Sequence, residues 1–168
     1  MTTLLHYEDL HVGDVWVSQG RTVTETDVVN FAGMTGDYNP LHVDHEFASE
    51  TPFRRPIAHG LLGLSLVAGL SSYAPYVKTL AFLKIEGWEF LKPIFLGDTV
   101  HVETEVLAAN PKGRRAGQVS WDRRLINQAG IILQSGRFET LVSVANPRAK
   151  RKEIQPAAIP VHQLRKAG

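Results

Sequence analysis

The chain has 168 residues, 43% of them hydrophobic and 21% charged, which suits one globular domain with a substantial core. Its formal net charge of +1 provides no global field toward nucleic acid or an anionic membrane surface. It has no cysteine, which excludes a disulfide framework, thiol catalysis and thiolate zinc sites, and suits a reducing, cytoplasmic setting.

The opening "MTTLLHYEDLHVGDVW" lacks a basic region followed by an apolar core, so no signal peptide is expected. "DVWVSQGRTVT" alternates as a strand does, with a turn near Gln19-Gly20. Thr24 with Asp27 has the spacing of a capping box, which predicts a short helix with Val28, Phe31 and Ala32 inward and Gly36 as its stop. Asp37 to Val43 reads as a loop. Asp44 then caps a second short helix, "HEFASET", which Pro52 ends.

After the loop "FRRPIAHG" comes the most apolar run, "IAHGLLGLSLVAGLSSYA". Its Gly60, Gly63 and Gly69 and its polar flanks fit a buried core helix from His59-Gly60 to about Tyr73 better than a membrane span. Four long β-like segments follow: "TLAFLKIEGWEFLKP", "DTVHVETEVLAAN", "GQVSWDRRLINQ" and "IILQSGRFETLVSV". The expected architecture is α+β, a five-stranded antiparallel sheet curled around one long apolar helix over residues 1–145. Residues 146–168 mix proline with basic residues and read as a tail.

The chemistry concentrates in "TGDYNPLHVD", Thr35 to Asp44. Singly, Asp37 and Asn39 are ordinary turn formers, Pro40 stiffens a turn, and His42 is an ordinary hydrogen-bonding residue. Together they offer an acid–base pair, Asp37 and His42, near the His59-Gly60 start of the apolar helix. Unpaired N–H groups and a positive dipole end there suit a developing oxyanion. A carboxylate in apolar surroundings becomes a stronger base, and histidine moves protons near neutral pH. Such a set can add water across an α,β-unsaturated carbonyl compound or remove it. His59 reads chiefly as orienting the loop before the helix, and His45 as exposed. Asp37, His42 and His45 lack zinc-ligand spacing, so no metal is expected. "GMTGD" is not a phosphate-cradling loop. Tyr73, Phe82 and Trp88 read as core or interface, and the loop arginines as solvated charge.

"GDYNPLHVDHEFA" resembles the hydratase motif of the MaoC-like, (R)-specific enoyl-CoA hydratase family, and "FRRPIAHGLLGLSLVAGL" resembles the segment that follows it there. "PIFLGDTVHVETEV" adds weaker support, and the resemblance spans roughly Leu10 to Val144. It implies a hot-dog fold, an antiparallel sheet around one long helix, with an overhanging segment that carries the motif. It also implies Asp37 and His42 as the catalytic pair and the Gly60 N–H as the donor to the thioester oxygen, with Asn39 and His59 at the substrate site. Coenzyme A thioester is then substrate, no cofactor is needed, and the pantetheine enters at a homodimer interface. Some family members carry a serine on the central helix near the aspartate; here the matching position is Ala68, with Ser65 one turn earlier. A hot-dog thioesterase and a non-catalytic acyl-binding subunit are the alternatives on the same fold.

Overall fold

The computed structural model describes residues 3–146; the predicted tail, apart from Asn146, lies outside the described residues. Two short strands, β1 (Val15–Val17) and β2 (Arg21–Thr22), flank the turn at Gln19-Gly20. The sequence reading had them as one turned strand; both lie antiparallel on β4 (Thr99–Lys112). The main sheet adds β3 (Thr79–Phe90), β5 (Ala116–Asn127) and β6 (Ile132–Ser143), with the order β1-β4-β5-β6-β3. All pairings are antiparallel. The sheet therefore has six strands rather than five, because a short turn splits the first. Among the described residues, β3 is left as an edge with β6 as its one neighbour.

Among the described residues, four α-helices sit on this frame. α1 (Glu25–Thr35) starts as predicted: Thr24 accepts from the Asp27 N–H and Asp27 reaches back to the Thr24 N–H at 2.9 Å. Val28, Phe31 and Ala32 are its buried positions. It stops at Gly36, whose φ of 79° lies in the left-handed region that favours glycine. The next stretch is not all loop: Pro40–Val43 forms a single-turn helix, α2, with Asn39 as its cap. An Asn-Pro pair at the cap and first helical position is itself a helix start, because proline loses an N–H that has no partner there anyway. α3 (His45–Ser49) follows, capped by Asp44 as predicted.

α4 (Gly60–Leu70) is the apolar helix, three residues shorter than expected. Its Leu62, Gly63, Leu66 and Val67 are buried, and it packs on β4 and β5. The concave face of the sheet supplies the other half of the core, with Val100, Val102, Val106, Val119, Trp121, Leu125 and Phe138 almost fully buried. Among the described residues no helix is long and apolar enough to cross a membrane.

Helix and sheet come close at Gly63. A Cβ there would collide with the Gln134 amide nitrogen and come within 2.5 Å of Ile94 Cδ1. Gly63→Ala should therefore destabilise the fold by about 1–3 kcal/mol through overpacking, read as a lower midpoint in urea at constant slope.

Candidate active site

Two chain segments, Asp37 to His42 and Ile57 to His59, are laced together by three hydrogen bonds. The Ile57 N–H reaches the Leu41 carbonyl at 3.4 Å. His42 Nδ1 lies 2.7 Å from the Ile57 carbonyl oxygen, and His59 Nε2 lies 2.9 Å from the Asp37 carbonyl oxygen. The second segment is fixed to the sheet side by the Ala58 N–H on the Ile94 carbonyl at 2.8 Å.

These bonds set both tautomers, because a carbonyl oxygen only accepts. His42 donates Nδ1–H, which leaves the Nε2 lone pair of the neutral ring available. His59 donates Nε2–H and is 2% exposed, with a buried Nδ1 that has no partner. Its ring lies between Phe31, at a centroid distance of 5.1 Å, and His42, at 3.9 Å. His59 thus holds the Asp37 backbone in place, the orienting role its position before the helix suggested.

The side chains brought together are Asp37, His42 and His59, which each offer an oxygen or nitrogen atom within 4.8 Å of the others. Asp37 Oδ2 is 3.9 Å from His59 Nε2, and Asp37 Oδ1 accepts from the Asn39 N–H at 3.3 Å. The spacing leaves room for one bridging water. The same trio could ligate a metal, although His42 Nδ1 and His59 Nε2 are already committed to carbonyl oxygens. His45 stands apart, exposed and 2.9 Å from Glu25 Oε1. Asn39 uses its side-chain oxygen to cap α2, accepting from the Leu41 N–H at 3.0 Å, and its NH2 group is left to reach a ligand. The Asp37 side chain is 54% exposed, so the apolar enclosure expected around it is not supplied by this chain alone.

Gly60 is the first residue of α4, and its N–H has no acceptor within the helix. It is exposed, and its φ is not in the left-handed region. A Cβ built on it would meet the Phe90 ring at 2.9 Å. The carbonyl of Gly60 accepts from Gln134 Nε2 at 3.0 Å, and Gln134 Oε1 in turn accepts from Trp88 Nε1 at 3.3 Å. Gln134 was not singled out from the sequence. Its signal is an amide at an inward position of a strand, which must find polar partners once buried.

Comparison with known proteins supplies the family. An (R)-specific enoyl-CoA hydratase from Aeromonas caviae is 43% identical over 110 residues, 66% of this chain and 79% of that protein. A 3-hydroxybutyryl-CoA dehydratase from Methylorubrum extorquens is 35% identical over 113 residues, 67% of this chain and 71% of that one. The solved structure of an (R)-hydratase from A. caviae superposes with a TM-score of 0.68 at 32% identity, covering 82% of this chain and 98% of that one. A double hot-dog protein from Mycobacterium tuberculosis shares the fold, with a TM-score of 0.76 at 23% identity over 89% of this chain and 47% of that one. The MaoC like domain model matches residues 11–127, so the chain belongs to the MaoC-like family and has its hot-dog fold.

Proposed function

We propose that this protein is a hydro-lyase that adds water to trans-2-enoyl-CoA to give (R)-3-hydroxyacyl-CoA, or catalyses the reverse dehydration. The observation that carries the reading is the meeting of Asp37 and His42 beside the free N–H groups at the start of α4. The relatives named as hydratase and dehydratase support the same reaction class.

In this reading the thioester oxygen docks on the Gly60 N–H, and one water lies between the Asp37 carboxylate and His42 Nε2. His42 Nε2, an acceptor by its tautomer, removes a proton as the water oxygen bonds to C3. The π electrons move toward the thioester oxygen, where the Gly60 N–H and the helix end stabilise the growing enolate charge. A proton then reaches C2 from the Asp37–His42 pair. The sum is one water added, with the enzyme unchanged. Asn39 orients substrate through its amide, and His59 holds Asp37. Coenzyme A enters as part of the substrate, and the reading calls for no cofactor.

The working unit is a homodimer. Edge strand β3 exposes Leu80, Phe82, Leu83, Ile85 and Phe90 along an unpaired rim, the kind of edge that a second copy covers. Light scattering at micromolar concentration should give twice the chain mass; a fully active monomer would contradict this. A cytoplasmic location suits the cysteine-free composition.

The mechanism is tested with crotonyl-CoA, following loss of the conjugated thioester absorbance. Asp37→Asn and His42→Ala should each lower turnover by roughly 10²–10⁴ with the fold intact, because each removes a proton carrier. The double variant should be little worse than either single one, since both act on the same water.

Gly60→Val should lower turnover by at least about 10²–10³ by obstructing the donor. Its stability should change little, because the side chain meets only the exposed, movable Phe90 ring. Normal hydration by that variant would put the oxyanion donor elsewhere.

A further inference from the structure

At the far end of α4 lies a cavity of about 240 Å³, lined by Ala68, Ser71, Phe82, Trp121, Arg123 and Thr140 among others. Arg123 is the exceptional member. β5 buries alternate positions, and Arg123 lies on the inner face between Trp121 and Leu125, only 9% exposed. Its guanidinium carbon stands 4.5 Å from the Phe138 ring centre and 5.9 Å from that of Trp121. Its Nε has no partner, and among the described residues no hydrogen bond or ion pair reaches the guanidinium. The neighbouring carboxylates of the sheet are taken up elsewhere: Glu103, Glu105 and Asp122 pair with Arg124, and Glu139 takes Ser120 and Gln118.

An unpaired cation in a core costs stability, and folds rarely keep one without an anion to match. Burial pushes the Arg123 guanidinium down to about 10, so it still carries its charge at neutral pH. The cavity offers a second donor. Thr140 Oγ1 accepts from Trp121 Nε1 at 2.8 Å, which leaves its own hydrogen free. Ser71 and Ser72, by contrast, spend their hydroxyl hydrogens on carbonyls of α4.

The cavity is also in line with the reaction site. Leu61, Ser65, Ala68 and Ser72 are exposed and spaced i, i+4, i+7, i+11, so they form one stripe along α4 and just past its end. Gly60 and Ala68 are eight residues apart, about 12 Å at the helical rise. Phe90 borders the Gly60 end and Phe82 lines the cavity, both from β3.

We infer that the cavity takes the far end of the acyl chain and that Arg123, with Thr140, selects chains tipped by a carboxylate. The substrate class is then the ω-carboxyl enoyl thioesters of medium length, held at one end by Gly60 and at the other by a planar fork suited to a carboxylate. This assignment rests on the hydratase reading above, and Arg123 is its specificity-determining residue.

The test compares two substrates of one length, trans-2-octenoyl-CoA and its ω-carboxyl counterpart, with the wild-type protein, Arg123→Met and Arg123→Lys. The wild type should favour the ω-carboxyl substrate in kcat/KM by tenfold or more. Arg123→Met should lose roughly ten- to hundredfold on that substrate and little on octenoyl-CoA, with Arg123→Lys between the two. Preference of the wild type for the methyl-ended chain, or equal losses on both substrates, would overturn the assignment.

A second measurement is independent of hydration. The Arg123 Nε–H NMR resonance, identified by its absence in Arg123→Lys, should shift saturably with octanoate but not with 1-octanol or inorganic phosphate. If neither enoyl-CoA is hydrated while octanoate still shifts the resonance, the hydratase reading fails and the carboxylate pocket stands. No shift with octanoate, or an equal one with phosphate, removes the pocket assignment itself.

Discussion

The site depends on one constraint: two segments separated by fifteen or more residues must be held at hydrogen-bond distance, and the bonds that do so run through histidine side chains. His42 spans 15 residues to Ile57, and His59 spans 22 back to Asp37. Each bond contributes only about 1 kcal/mol net, but breaking one would leave a carbonyl without its donor in a partly buried setting, which costs more. The arrangement also ties geometry to chemistry. The bond that fixes the position of each imidazole fixes its tautomer, so His42 turns a lone pair outward while His59 turns its own into the core. His59 Nδ1, without a partner among the described residues, is the cost of turning the other nitrogen of that ring to the Asp37 carbonyl.

The remaining structure serves to place these segments. Gly36 turns the chain out of α1 in a conformation few other residues take easily, and Phe31 of that helix packs on His59. Gly63 lets α4 approach the sheet closely enough for Gln134 to bond the Gly60 carbonyl, while Trp88 holds Gln134 from its other side. The helix start is thereby anchored through its carbonyl, and its N–H is left outward. The donor role proposed for Gly60 calls for an N–H that does not reorganise during reaction, and the Gln134 brace suits that requirement.

The fold was legible where local signals carried it. The capping box at Thr24, the stop at Gly36, the cap at Asp44 and the change of period after α4 all act over a few residues, and all were read at their observed positions. The split of the first strand into β1 and β2 was half seen, as a turn. α2 was missed because Pro40 was weighed as a loop stiffener, although Asn39 before it supplies a cap. The end of α4 was placed too late because the helix was carried on to Tyr73; it stops at Leu70, and Ser71 behind it turns its hydroxyl back on the Val67 carbonyl. Within the candidate site, the meeting of the Asp37–His42 loop with the start of α4 was expected. The role of His59 as a clamp depends on a contact 22 residues away that no local pattern displays. Arg123 was hidden for a different reason. In "SWDRR" it reads as one of several strand charges, and only the alternation through Val119, Trp121 and Leu125 turns it inward.

Arg123 and Arg124 show how one strand assigns opposite fates to adjacent identical residues. The period of two sends Arg124 to the outer face, where three carboxylates meet it, and sends Arg123 to the helix side, where none does. An arginine needed only for packing on Phe138 could be replaced by an apolar side chain of similar length, with no charge to desolvate. Beside a cavity the same unpaired charge suits a binding site, where a matching anion would offset its desolvation. The two ends of α4 then divide the work by their physics. In the proposed reaction the N-terminal end would offer backbone donors to a charge that develops only in the transition state, and the C-terminal end faces a fixed cation that would meet a charge carried by the substrate throughout. The first arrangement would accelerate reaction, because it strengthens as an enolate forms. The second, equal in ground and transition states, chooses which chain is bound.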